Sequence, residues 1–153
     1  MSATSGYSGT PLAKKLGLKD GQRVGFVDLP DTLGDLATAR VFSSIARVGA
    51  WSKLANGPFD YLHLFTKSAA ELEQAVPALQ DRMDRDGILW VSWPKKAAKV
   101  ETDVTGDVVR AEVLRHKLVD IKVCAVDEVW SGLKMMIRKE LRARHRGLWE
   151  GEK

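Results

Sequence analysis

The stretch Gly87-Ile88-Leu89-Trp90-Val91-Ser92-Trp93-Pro94-Lys95-Lys96 constrains the chain more than any other. Its near-continuous apolar run has the pattern of a strand covered on both faces, as in parallel sheets sandwiched between helices. Proline then withholds the next ladder N–H, and two lysines follow directly. The pattern describes a buried central strand whose carboxyl end opens on a basic rim flanked by tryptophan. A second run, Phe59-Asp60-Tyr61-Leu62-His63-Leu64-Phe65-Thr66, carries the same signature.

Between these two runs the residues spell a helix. Ser68-Ala69-Ala70-Glu71 reads as a capping box, in which serine takes an orphan N–H and glutamate reaches back to the cap. Leu72, Val76, Leu79 and Met83 follow at three- and four-residue spacings and form one apolar face. Pro77 is expected to kink or split this helix, and Asp84-Arg85-Asp86-Gly87 to end it.

Upstream, Thr10-Pro11-Leu12 reads as a helix start, with a hydroxyl at the cap and proline at the first helical position. That helix should stop at Gly17. Lys19-Asp20-Gly21 signals a turn into a strand over 23–29. Pro30-Asp31-Thr32 would cap a short helix over Leu33 to Ala39, and Arg40 to Ile45 reads as a second strand. A helix throughout 32–48 fits nearly as well. Residues 49–58 read as a loop with one helical turn.

Downstream, Thr102 to Asp107 supplies several cap residues for a helix that Val108, Val109, Val113 and Leu114 mark out to about Leu118. A strand over 120–126 follows, predicted to lie inside the sheet. A short connection around Ser131-Gly132 leads to an antiparallel partner at Lys134 to Arg138.

Strand alternating with helix and closing in a hairpin defines an α/β fold. It is expected to have three layers and a mostly parallel, Rossmann-like sheet of about six strands with a C-terminal antiparallel hairpin. At 153 residues the chain suits one domain. We read 1–9 as a Ser/Gly-rich flexible arm, 10–140 as the domain and 141–153 as a basic C-terminal tail.

No apolar run approaches the ~20 residues of a spanning helix, and Met1 to Gly9 lack the basic start and apolar run of a secretory signal. The expectation is a cytoplasmic protein with no membrane partner. The single cysteine, Cys124, excludes an internal disulfide and a cysteine-rich zinc site. Its place between Val123 and Ala125 suggests an inert, buried thiol. His63, His116 and His145 fall on separate elements, so no metal-ligand spacing exists. His63, inside an apolar strand, reads as a hydrogen-bonded core residue. Asp127 and Glu128 are adjacent, hence on opposite faces of a regular strand, and do not form an acid/base pair.

Net charge is +4. From Lys134 to Arg146 six Lys or Arg stand against one acid, Glu140. Read blandly this is a solvated basic helix. The alternative is a nucleic-acid surface made by Arg138, Lys139, Arg142, Arg144 and Arg146.

From Phe59 onward the chain resembles the second half of a class I methyltransferase fold, in truncated form. The features are Phe59-Asp60 opening one strand, Asp86-Gly87 preceding the next, and a final strand pair enclosing Asp127 to Gly132. Three segments also resemble an uncharacterised family of short bacterial proteins. They are Gly6 to Gly17, Trp93-Pro94-Lys95-Lys96 and Val123 to Gly132. That family brings no established activity.

The methyltransferase resemblance implies S-adenosylmethionine. A nucleotide-type ligand at the first strand needs a glycine-rich turn that lets backbone N–H groups approach it. Here the turn is Asp28-Leu29-Pro30-Asp31-Thr32-Leu33-Gly34, with one late glycine and a proline lacking an N–H. An acid at the end of the second strand, which would hold ribose hydroxyls, is missing from 40–45. The expectation is therefore no cofactor and no catalytic residues. The reading is a non-catalytic domain that binds an anionic small molecule or a protein partner at the carboxyl ends of the strands. Asp28, Thr66, Lys67, Trp93, Lys95 and Lys96 are the candidate ligand residues, with Lys14 and Lys15 converging from the first helix. Arg110 would either join them or pair with Asp107 or Asp103. A divergent methyltransferase and a nucleic-acid-binding regulator are the alternatives.

Overall fold

The structure is a computed structural model that describes Pro11 to Gly151. The arm at 1–9 and the Thr10 cap lie outside the described residues. The first helix, α1, spans Leu12–Leu16 with Pro11 at its cap position and Gly17 closing it at φ 85°. That left-handed conformation suits glycine. Trp90 Nε1 donates to the Leu16 carbonyl at 2.8 Å and fastens α1 to the sheet.

Six strands form one sheet: β1 Arg23–Val27, β2 Ser44–Val48, β3 Phe59–Phe65, β4 Met83–Pro94, β5 Leu118–Ala125 and β6 Trp130–Ile137. Their order is β2-β1-β3-β4-β6-β5. The first four are parallel, and β6 runs antiparallel to both β4 and β5. The three-layer, mostly parallel α/β fold is therefore as expected.

Helices α2 (Ala69–Gln80) and α3 (Gly106–Leu114) cover one face. There Leu62, Leu64, Leu89, Val91 and Trp93 share an apolar cluster with Leu72, Leu79, Val109 and Val113. On the other face Phe26, Tyr61, Phe65 and Trp90 share a cluster with Leu16, Leu18 and three leucines from the segment after β1.

Several expectations need correction. The second strand is Ser44–Val48, not 40–45, and residues 31–38 form a 3₁₀ segment instead of an α-helix. The pairing Arg23↔Ser44 to Val27↔Val48 sets that register, which the local sequence does not carry. Val41, which drew the strand reading, is 80% exposed. A 3₁₀ turn does occupy Trp51–Lys53 in the predicted loop.

Pro77 neither splits nor ends α2. Leu72, Ala75, Val76 and Leu79 are fully buried along its length, and that packing outweighs the one backbone bond proline removes. Half of the capping box forms. Ser68 Oγ accepts from Glu71 N at 3.1 Å, but the Glu71 carboxylate takes the Thr66 hydroxyl, and Asp103 Oδ1 caps Ala69 N at 2.7 Å.

The hairpin turn lies at 126–129, and Ser131 and Gly132 are already in β6. Asp127 Oδ1 explains this by accepting from Val129 N and Trp130 N at 2.9 and 2.7 Å, which closes the turn early. Strand β5 is an edge strand, so Cys124 is half-buried and not interior.

No basic α-helix follows. Lys134 belongs to β6, and the chain continues in 3₁₀ turns at Lys139–Arg144 and Leu148–Gly151. This segment is laid against the domain. His145 is buried with Nε2 donating to the Met83 carbonyl at 2.8 Å, Leu148 N bonds the Asp81 carbonyl, and Arg142 Nε bonds the Ile137 carbonyl.

Candidate functional site

The carboxyl ends of the parallel strands are the place to look, because β1 lies between β2 and β3 and the chain's strand order reverses there. Asp28 stands there, exposed, at φ 57°. Thr66 ends β3 but is buried, with its hydroxyl engaged by Glu71 and by Ser68 N. Neither lines the cavity that holds Lys95 and Lys96, the lysines that follow β4.

A cavity of about 280 Å³ opens at the end of β4. Its walls are Trp93 to Lys96 on one side and Val100, Thr102, Val104, Thr105 and Gly106 on the other. Of the six candidate residues it gathers Trp93, Lys95 and Lys96. Trp93 is 7% exposed and belongs to the core cluster beneath, so it forms a floor and offers little free ring face. Lys96 is exposed and Lys95 half-buried. Among the described residues no carboxylate pairs with either ammonium group.

Lys67 contributes indirectly. Its carbonyl accepts from Thr102 Oγ1 at 2.7 Å and from Asp103 N, holding the far wall in place. Thr105 Oγ accepts from Val108 N at 3.3 Å and caps α3, whose first residue, Gly106, faces the cavity. A Cβ on Gly106 would meet Trp93 Cζ2 at 3.4 Å, so the helix start sits directly on the indole. The positive end of α3 and two lysines thus share one small opening. The far wall was missed in sequence, although Thr105-Gly106-Asp107 ahead of an apolar run is a helix-start signal at the rim.

Lys14 and Lys15 do not converge here. Lys15 Nζ donates to the Ala125 carbonyl at 2.8 Å, on the α1 side of the sheet. Arg110 pairs with Asp120 at 3.4 Å and not with Asp103 or Asp107.

His63 is a core residue, as expected. It is fully buried, 3.0 Å from the Tyr61 hydroxyl and 2.7 Å from Ser92 Oγ, and its ring stacks on Phe65. Desolvation lowers its pKa to about 3, so the ring stays neutral. Burial also raises the Cys124 thiol, with Lys15 and Lys122 only partly opposing it, which leaves an unactivated thiol. No three His, Cys, Asp or Glu among the described residues are grouped to hold a metal, and no described helix is long and apolar enough to cross a membrane.

Comparison with solved structures places this architecture. Magnesium protoporphyrin IX methyltransferase from Synechocystis PCC 6803 matches with a TM-score of 0.59 at 12% identity, over 81% of this chain and 73% of that one. The fold is methyltransferase-like. A tRNA methyltransferase of B. subtilis matches at TM-score 0.57 and 11% identity, over 92% of this chain and 70% of that one. Precorrin-6y C5,15-methyltransferase of Geobacter metallireducens GS-15 matches at 0.56 and 10%, over 82% and 85%. No protein-family model and no curated protein sequence matches the chain.

The neighbours' cofactor can be tested against the residues at β1. After Asp28 the backbone enters Leu29-Pro30, and Leu29, Leu33 and Leu36 are buried in the cluster that holds Phe26, Phe65 and Trp130. Arg47 Nη2 pins this segment, donating to the Leu29 carbonyl and to Asp31 at 3.1 Å each. Buried leucines and a proline thus follow the first strand in place of the glycine turn that would let backbone N–H groups approach the cofactor. Strand β2 ends at Arg47-Val48 and is followed by Gly49-Ala50, so moving the strand does not supply the missing acid. These residues do not fit S-adenosylmethionine in the first-strand position.

Proposed function

We propose that this chain is a ligand-binding domain of methyltransferase-like fold, which takes a small anionic molecule in the cavity between β4 and α3. One observation carries the reading: Lys95, Lys96 and the α3 N-terminus face a single opening whose lining contains no carboxylate, and neither lysine is ion-paired among the described residues. At about 280 Å³ the cavity is at the lower end of ligand pockets, which favours a phosphorylated or carboxylated metabolite over a dinucleotide. Thermal-shift screening against phosphorylated metabolites tests it. A hit should vanish in Lys95→Ala/Lys96→Ala, and a hit of undiminished size in that variant refutes the assignment.

The fold of the solved neighbours supports a second reading, a divergent S-adenosylmethionine-dependent methyltransferase. It requires the cofactor to bind away from the leucine-filled segment after β1. Direct titration with the cofactor separates the two.

A further inference from the structure

On the sheet face that carries α1, four lysines gather. Lys122 of β5 and Lys134 of β6 are direct cross-strand partners in an antiparallel pair. Like charges placed opposite one another in a sheet are destabilising. Lys15 joins them from α1, with its ammonium on the Ala125 carbonyl and its own carbonyl 3.4 Å from Lys122 Nζ. Partial burial, then Lys122 and then Lys19, just beyond α1, hold the Lys134 ammonium below its usual range.

None of these four lysines forms an ion pair among the described residues. The nearest strand acid, Asp120, is turned to the α3 side and bound to Arg110, across the irregularity between Asp120 and Lys122. Residues 1–10, which precede α1, contain no Asp or Glu. A local rule broken without compensation inside the fold points to a group outside it.

We infer that Lys15, Lys19, Lys122 and Lys134 form a docking surface for the phosphate backbone of a nucleic acid. The cluster lies across two strands and an adjoining helix, an arrangement that suits the repeated charges of a polyanion. Trp90, the aromatic beneath it, is fully buried with its N–H committed to Leu16, so bases have no stacking platform there. Recognition is therefore by backbone charge, without sequence preference. The surface differs from the β4–α3 cavity and from the arginines of 138–146, and it stands independently of the proposed ligand.

Fluorescence anisotropy of the full chain with a labelled DNA duplex tests this at 50 and 200 mM salt. Four phosphate contacts predict a loss of affinity of ~10²-fold across that range. Lys122→Gln/Lys134→Gln should weaken binding at least tenfold and reduce the salt slope by about two. The charge-matched Lys53→Gln/Lys117→Gln should stay within about twofold of the parent. The Lys122/Lys134 variant should also melt no lower than the parent, since it removes a repulsion, and circular dichroism verifies that it is folded. Absence of duplex binding at 50 mM salt overturns the inference. So does equal weakening by both double variants, loss on Arg142→Gln/Arg144→Gln alone, or full competition by inorganic phosphate at concentrations that leave ionic strength unchanged.

Discussion

His63 and Ser92 hold one another across β3 and β4, with His63 Nε2 2.7 Å from Ser92 Oγ and both side chains fully buried. The Tyr61 hydroxyl closes the other ring nitrogen at 3.0 Å, so the imidazole is satisfied at both ends without charge. Ser92→Ala leaves a buried nitrogen without its partner. It should destabilise the domain by about 1–3 kcal/mol, lowering the melting temperature by several degrees. An unchanged denaturation midpoint refutes this account of the pair.

The same ring sets a pH dependence. His63 titrates near 6.5 when unfolded and at about 3 when folded. Between those values the unfolded chain binds the extra proton, so this contribution is complete above pH 6.5 and declines as pH falls toward 3. The slope is up to ~1.4 kcal/mol per pH unit. Urea denaturation at stepped pH should show it, and His63→Gln, which keeps polar atoms but does not titrate, should flatten it. An identical slope in both proteins assigns the acid sensitivity elsewhere.

At the opposite end of the strands Arg23 grips Asp60. Arg23 Nη2 and Nε reach the two carboxylate oxygens at 2.7 and 2.9 Å, and the Arg23 backbone N–H adds a third bond. The guanidinium holds the Asp60 carboxyl below its usual range. That contribution is present above the unfolded value of about 3.9 and is lost as pH falls through the lower folded value. Both side chains are partly exposed, so Asp60→Asn should cost only about 1 kcal/mol at pH 7. The difference from the parent should shrink toward pH 2, and a constant difference contradicts the pairing.

Thr105→Ala removes the α3 cap and should destabilise the domain by about 1 kcal/mol. Because α3 begins at the cavity wall, it should also weaken any anionic ligand found there. A stability loss with ligand affinity intact would separate the helix start from the site.

The central strands were legible because they are covered on both faces: the runs at 59–66 and 87–94 are apolar whatever their neighbours. The edge strand β2 was not, since Ser44 to Val48 is mostly exposed and takes its place only by pairing with β1. Half of the cavity was readable, as Trp93, Lys95 and Lys96 follow one another in sequence. Its far wall comes from residues 100–106, brought over by bonds to the Lys67 backbone. The lysine group was invisible for the same reason. Lys122 and Lys134 become partners only through hairpin register, and the early turn closed by Asp127 sets that register.

The central claim is that this methyltransferase-like sheet has closed its first-strand crevice with Leu29, Leu33 and Leu36. Isothermal titration of the full chain with S-adenosylmethionine tests it most directly. The account predicts no saturable heat up to millimolar ligand, and a one-to-one binding isotherm would contradict it.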